Sequence, residues 1–156
     1  MAIKPDFTDK EWDLVADAPF LAGISTSMAD YTVTAYQKEF VVLTRAYDEA
    51  KKSYQGNQLI QAILAERTLH DSDDIDTNSM TSEDFLERIS EIARIVDQKS
   101  PADEALEFKL FLYEIATKVA MASGEGFLGF GKKVSDKEAA YLERLKGTLA
   151  ISRDIP

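Results

Sequence analysis

The stretch PADEALEFKLFLYEIATKVAMAS, residues 101–123, decides the fold of this chain of 156 residues. After its first residue it contains neither Pro nor Gly, and its apolar residues recur at the four-then-three spacing of a helix face. One apolar stripe holds Phe108, Leu112, Ile115, Val119 and Ala122, and a second stripe beside it holds Leu106, Leu110, Tyr113 and Ala120. Two adjoining stripes cover much of a helix circumference, so the pattern predicts a central helix with neighbours on several sides.

A glycine-rich stretch and another helix follow this central helix. Residues 124–134 read GEGFLGFGKKV, and Ser135-Asp-Lys-Glu138 has the form of a capping box. In that motif the Ser hydroxyl and the Glu carboxylate each accept a hydrogen bond from a backbone amide that the helix leaves unpaired. The spacing predicts a final helix over 135–149, followed by a loosely ordered tail at 151–156.

The first half of the chain predicts four helices. The capping box Thr8-Asp-Lys-Glu11 opens the first, and Pro19 either stops it or begins the next helix at its first position. The later three cover residues 19–30, 35–54 and 58–70. In the turn Gln55-Gly56-Asn57, Gly suits the end of one helix and Asn caps the next.

The middle of the chain adds a loop and one more amphipathic helix. Residues 71–80 are polar and form the clearest loop, and Thr81-Ser-Glu-Asp84 then caps a helix that runs to Ser100. No stretch shows the alternation that a strand requires. The sequence therefore predicts one all-α domain over residues 1–156, a bundle of about seven helices.

Composition and charge exclude several classes of function. The net charge of −10 disfavours nucleic acid and anionic membranes, because phosphate neutralisation needs clustered Lys and Arg. The chain has no Cys and a single His, His70, which excludes thiolate chemistry and zinc sites built from several His. No apolar run is long enough to span a membrane, and no apolar signal core follows Met1. We expect a cytoplasmic protein with no integral membrane segment.

Two predicted loops match known ligand-binding motifs only in part. Gly124, Gly126 and Gly129 have the spacing of a dinucleotide fingerprint, but that motif requires a preceding strand and here a helix precedes it. Residues 74–78 resemble the start of a calcium loop, but Phe85 stands where the bidentate Glu is required. The sequence favours a structural glycine loop and a solvated acidic loop instead.

Five carboxylates stand at predicted helix joints and form the candidate metal site: Asp30, Glu39, Glu125, Asp136 and Glu138. A weak internal similarity relates residues 20–47 to residues 112–145, which would give two pseudo-repeated helical units. Two such units packed together would bring the acids close, and a hard divalent cation would relieve their mutual repulsion. The alternative is structural, because acids in a helix first turn are favoured by capping and by the helix dipole alone.

The region 112–146 resembles the tellurite-resistance TerB family. The resemblance lies in Leu112 to Gly126, in Lys133-Val-Ser-Asp-Lys-Glu138 and in Leu142, and residues 28–39 look like the same unit in the first half. It implies an all-α fold of two helical repeats with acidic joints suggested to hold metal. It also implies a non-enzymatic, stress-linked accessory protein that acts by binding a protein partner. Glu125 stands where the family pattern has Asp, and residues 127–132 look like an insertion. The other interpretation is a metal-independent interaction module that uses the 124–134 loop.

Overall fold

The computed structural model describes the backbone of residues 4–29, 33–66, 79–123 and 134–150, with the side chains of Lys4, residues 33–40 and Ser123 left aside. A single 3-10 turn, Lys4–Asp6, precedes six α-helices in these ranges. They are α1 (Asp9–Ala29), α2 (Val33–Ser53), α3 (Gln58–Glu66), α4 (Ser82–Lys99), α5 (Ala102–Ser123) and α6 (Asp136–Thr148). The described residues form no strand, so the predicted all-α class is confirmed. None of the described helices combines the length and apolar composition that a membrane crossing needs.

The described helices number six and not seven because α1 continues through Pro19. A proline inside a helix removes one hydrogen bond and costs about 3 kcal/mol. The surroundings offset this cost, since every residue from Ala18 to Ser27 is buried. Packing on all sides therefore holds α1 in one piece where the local sequence predicted a stop.

The three predicted capping boxes are confirmed. Thr8 and Glu11 bond reciprocally at 2.9 and 3.1 Å, and Ser135 and Glu138 do so at 3.2 and 3.1 Å. The third box joins Thr81 to Asp84 at 2.9 and 3.2 Å. In each case the acid and the hydroxyl satisfy backbone amides that have no partner within the helix.

Helix α5 is central, as predicted, because it contacts all five other described helices. Phe108, Leu112, Ile115 and Val119 of the first stripe are buried. The prediction of the second stripe is wrong in part, since Leu106 is 38% exposed and Leu110 and Tyr113 are only partly covered. Ala120 of that stripe is buried as predicted, and Ala105, Phe111 and Ala116 complete the second buried face. Small alanines on this face let neighbouring helices approach α5 closely.

The end of α6 offers a test of backbone strain. Ala150 follows the C-cap Leu149 and has a φ of 54°, in the left-handed region that disfavours residues with a Cβ. We expect Ala150→Gly to raise the free energy of unfolding by about 1 kcal/mol. Chemical denaturation of the two proteins measures this difference.

Ala140→Gly is the matched control for that substitution. Ala140 is exposed within α6, where glycine costs about 1 kcal/mol relative to alanine. The two substitutions should therefore change stability in opposite directions. A loss of stability in both would contradict the assignment of strain to Ala150.

Candidate functional site

Helices α2 and α5 run antiparallel, and side-chain contacts establish their directions. The Tyr54 hydroxyl donates to the Glu114 carboxylate at 2.7 Å, and the Lys118 ammonium bonds to Glu49 at 2.7 Å. Tyr54, which directly follows α2, lies beside Glu114. Glu49, earlier in α2, lies beside Lys118, which is later in α5. The two helices therefore run in opposite directions. The beginning of α2 and the end of α5 therefore point towards the same end of the bundle.

Two further helix ends join this end of the bundle. Only residues 30–32 separate the end of α1 at Ala29 from the beginning of α2 at Val33, so these ends are close. Tyr141, in the second turn of α6, lies beside Ser25, one turn before the end of α1. We call the region defined by Ala29, Val33, Ser123 and Asp136 the joint end. In sequence, these four residues flank the two stretches that carry the candidate acids Asp30 and Glu125.

The five candidate acids differ in how far the structure describes them. Asp30 and Glu125 lie outside the described residues, and Glu39 is described only by its backbone, in the second turn of α2. Asp136 is the first residue of α6 and is exposed, whereas Glu138 is buried, with 2% of its surface accessible. Distances among the five side chains therefore lie outside the description, and the ligand set stays a prediction.

Glu138 is held in a fixed position by the cap of α6. Its Oε1 atom accepts from the amide of Ser135 at 3.2 Å, and its own amide donates to the Ser135 hydroxyl at 3.1 Å. Burial of the carboxylate at the helix N-terminus is consistent with the favourable dipole there. Glu138 therefore has a structural role in the fold, as the alternative interpretation expected.

A buried group of hydroxyls, which the sequence analysis missed, lies next to the joint end. Ser25, Thr26 and Ser27 of α1 are 2% exposed or less, and Tyr141 of α6 is 3% exposed. Ser25 and Thr26 donate to the Ala22 carbonyl one turn earlier, at 3.2 and 2.9 Å, which satisfies them within the helix. We call these four residues the hydroxyl seam. A run of three hydroxyl residues inside an otherwise apolar helix is the sequence signal that identifies it.

The Tyr141 hydroxyl is the least satisfied group of the hydroxyl seam. It lies beside Ser25 but makes no hydrogen bond of normal geometry with any residue that the structure describes. Burial raises the pKa of Tyr141 to about 12, with small opposing effects from Ser25 and Arg144. The phenol is therefore neutral at physiological pH.

A charged clamp between α2 and α5 supports the joint end from one side. The Lys118 ammonium bonds to Glu49 at 2.7 Å and to Glu114 at 3.0 Å, so it bridges the two helices. Desolvation lowers the pKa of Lys118, but the bonds to both carboxylates outweigh it and raise the pKa overall. Desolvation, followed by the bond to Glu114, likewise raises the pKa of Tyr54. The clamp keeps one charge state at physiological pH and fixes how α2 lies on α5.

Within the described ranges, no three His, Asp or Glu side chains are grouped so as to hold a metal ion. Comparison of the chain with protein-family models, with curated proteins and with solved structures gives no match. The resemblance to the TerB family consequently stands on the sequence motifs alone.

Proposed function

We propose that this chain is a cytoplasmic, non-enzymatic accessory protein of stress response, similar to the TerB family, that acts by binding. Its ligand is a divalent metal ion held at the joint end by Asp30, Glu39, Glu125, Asp136 and Glu138. The α1–α2 and α5–α6 pairs are the two helical units of this proposal. A protein partner would then recognise the metal-loaded form.

The observation that carries this proposal is the antiparallel packing of α2 against α5. The Tyr54–Glu114 and Glu49–Lys118 contacts, both 2.7 Å, direct the start of α2 and the end of α5 to the same end of the bundle. Three of the proposed ligands stand at or near these two helix ends in sequence, namely Asp30, Glu39 and Glu125. Oxygen ligands in flexible arrangements are what calcium and similar hard cations prefer.

The first turn of α6 limits how the cation can be held. A helix N-terminus carries partial positive charge, which favours the carboxylates of Asp136 and Glu138 but repels a cation. The acids of the other helix ends must therefore supply most of the attraction. Glu39 and Glu125 are the residues whose replacement should affect binding most.

The proposal is tested by thermal unfolding of chelator-treated protein at rising concentrations of calcium, magnesium, manganese or zinc. With free metal at about 100 times the dissociation constant, the folded state should gain about 2.7 kcal/mol. For a chain of this size that gain raises the melting temperature by roughly 5–10 °C. The double variant Glu39→Gln with Glu125→Gln should lose most of the rise.

A charge-matched double variant serves as the control. Glu91 of α4 and Glu143 of α6 are exposed and belong to no proposed ligand set, so Glu91→Gln with Glu143→Gln removes the same charge. This control should keep the full rise in melting temperature. Absence of any rise in wild type, or an equal rise in the ligand variant, would refute the metal site.

A second candidate function is favoured by exposed apolar side chains. Three large hydrophobic residues of the described chain are exposed, and Val41 (51%) and Met121 (43%) lie in the parts of α2 and α5 nearest the joint end. Exposed apolar groups in these two helices suit a metal-independent interaction module. Capture of a partner that persists in chelator and is lost in Val41→Ser with Met121→Ser would favour this function over metal binding.

A further inference from the structure

A cleft separates α4 from the last turns of α6, at the other end of α6 from the joint end. It is a shallow groove with a volume of about 640 Å³, most of which is open to solvent. It is lined by Glu83, Leu86, Glu87 and Ser90 of α4 and by Arg144, Gly147 and Thr148 of α6.

Gly147 accounts for the open space. A Cβ atom at this position would meet no other atom within 4 Å, so α6 presents bare backbone towards the cleft. Leu86 contributes a small apolar area to the lining, since 6% of its surface is accessible. A larger residue at position 147 would therefore fill the cleft without a clash at its Cβ.

The α4 side of the cleft carries more negative charge than the basic residues of the described chain neutralise. Glu83 and Glu87 are four residues apart, as are Glu87 and Glu91, and like charges at this spacing repel each other on a helix. Arg144 is the basic residue of the lining, and its guanidinium pairs with Glu83. Glu87 makes no ion pair with any described residue. The cleft thus contains a carboxylate that a cation from outside can reach.

The hydrogen-bonding groups of the cleft also suit a cationic ligand. The Thr148 hydroxyl donates to the Arg144 carbonyl at 2.9 Å, which leaves its oxygen able to accept. Together with the Glu87 carboxylate it provides acceptors, and a guanidinium or ammonium group provides donors. The charge of −10 on the whole chain also speeds the approach of a basic partner.

We propose that this cleft docks a basic peptide segment of a partner protein, with an Arg or Lys side chain placed against Glu87. The aliphatic stem of that side chain covers Leu86, and its charged end reaches the acidic α4 side. This surface is separate from the proposed metal site. It would bind with or without a cation at the joint end.

Fluorescence anisotropy with labelled hexa-arginine tests the docking, with hexaglycine as the uncharged comparison. Glu87→Gln should raise the dissociation constant about fivefold, which corresponds to one ion pair of about 1 kcal/mol. Gly147→Leu should raise it by at least about tenfold because the side chain occupies the cleft. Gly147→Leu should fold normally, since leucine favours a helix more than glycine does.

Glu143→Gln is the matched control, because Glu143 is an exposed α6 residue outside the cleft lining. It should change the dissociation constant by less than about twofold. An effect equal to that of Glu87→Gln would show attraction to net charge alone and overturn the proposal. Wild-type affinity in a folded Gly147→Leu protein would also overturn it.

Discussion

Val119→Asp should lower the free energy of unfolding by roughly 4–5 kcal/mol, enough to unfold much of the protein at physiological temperature. Val119 is fully buried on α5, the helix that contacts all five other described helices. The substitution removes apolar burial and places a carboxyl group beside Ile115 and Ala116, which are buried one turn earlier on α5. Circular dichroism of the variant in a denaturant series measures the loss.

The loss should depend on pH in a specific direction. Burial raises the pKa of the introduced carboxyl above its value in the unfolded chain, so the folded state binds a proton more readily. The variant is therefore least destabilised at acidic pH and loses stability as the pH rises through that raised pKa. A loss independent of pH would point to lost packing and not to a buried charge.

Leu106→Asp on the same helix is the control. Leu106 is 38% exposed and lies in the second turn of α5, on the surface of the helix. We expect a change within about 0.5 kcal/mol. Comparing the two variants tests whether Leu106 is exposed, as the structure shows, or buried, as the apolar stripe in the sequence predicted. Equal losses in both variants would contradict the observed exposure.

Local signals predicted the helices well because the physics that sets them is local. A capping box needs only two residues three apart, and the boxes at Thr8, Thr81 and Ser135 each begin a helix where predicted. The turn at Gly56 and the cap at Asn57 are confirmed for the same reason. These interactions are complete within one turn of chain.

Packing between helices could not be read from the same signals. The sequence favoured the bulky Leu106 as a core residue, whereas the buried second face of α5 uses Ala105 and Ala116. Alanine is ambiguous in a sequence because it suits both exposed helix faces and close helix contacts. Pro19 was similarly misjudged, since the burial that holds α1 together comes from distant parts of the chain.

The candidate metal site likewise has one part that the sequence predicted and one part that depends on packing between helices. Residue types and joint positions predicted Asp136 and Glu138 as candidate ligands, and the structure shows Glu138 in a helix cap. The direction of α2 against α5 depends on pairs such as Glu49 and Lys118, which are 69 residues apart. No periodicity encodes a pairing of that kind, so the antiparallel packing of α2 on α5 required the structure.

Asn57→Ala should cost about 3 kcal/mol, because Asn57 combines a helix cap with a bridge between helices. Its Oδ1 atom accepts from the amide of Ile60 at 3.0 Å and so caps α3. Its Nδ2 group donates to the Glu104 carbonyl at 3.2 Å and to the Glu107 carboxylate at 3.0 Å, both on α5. The residue is fully buried, so truncation leaves these groups with fewer partners away from water.

Asn57→Ser separates the two roles. Serine caps a helix about as well as asparagine, but its hydroxyl is too short to reach α5, so this variant should lose only about 1–2 kcal/mol. In a double-mutant cycle, Glu107→Gln should couple to Asn57→Ala by at least about 0.5 kcal/mol, since the two side chains bond directly. Additive effects in that cycle would mean that the bond to α5 contributes nothing measurable. If Asn57→Ser and Asn57→Ala lose equal stability, the cap that serine preserves contributes nothing measurable. The whole loss would then come from the bonds to α5.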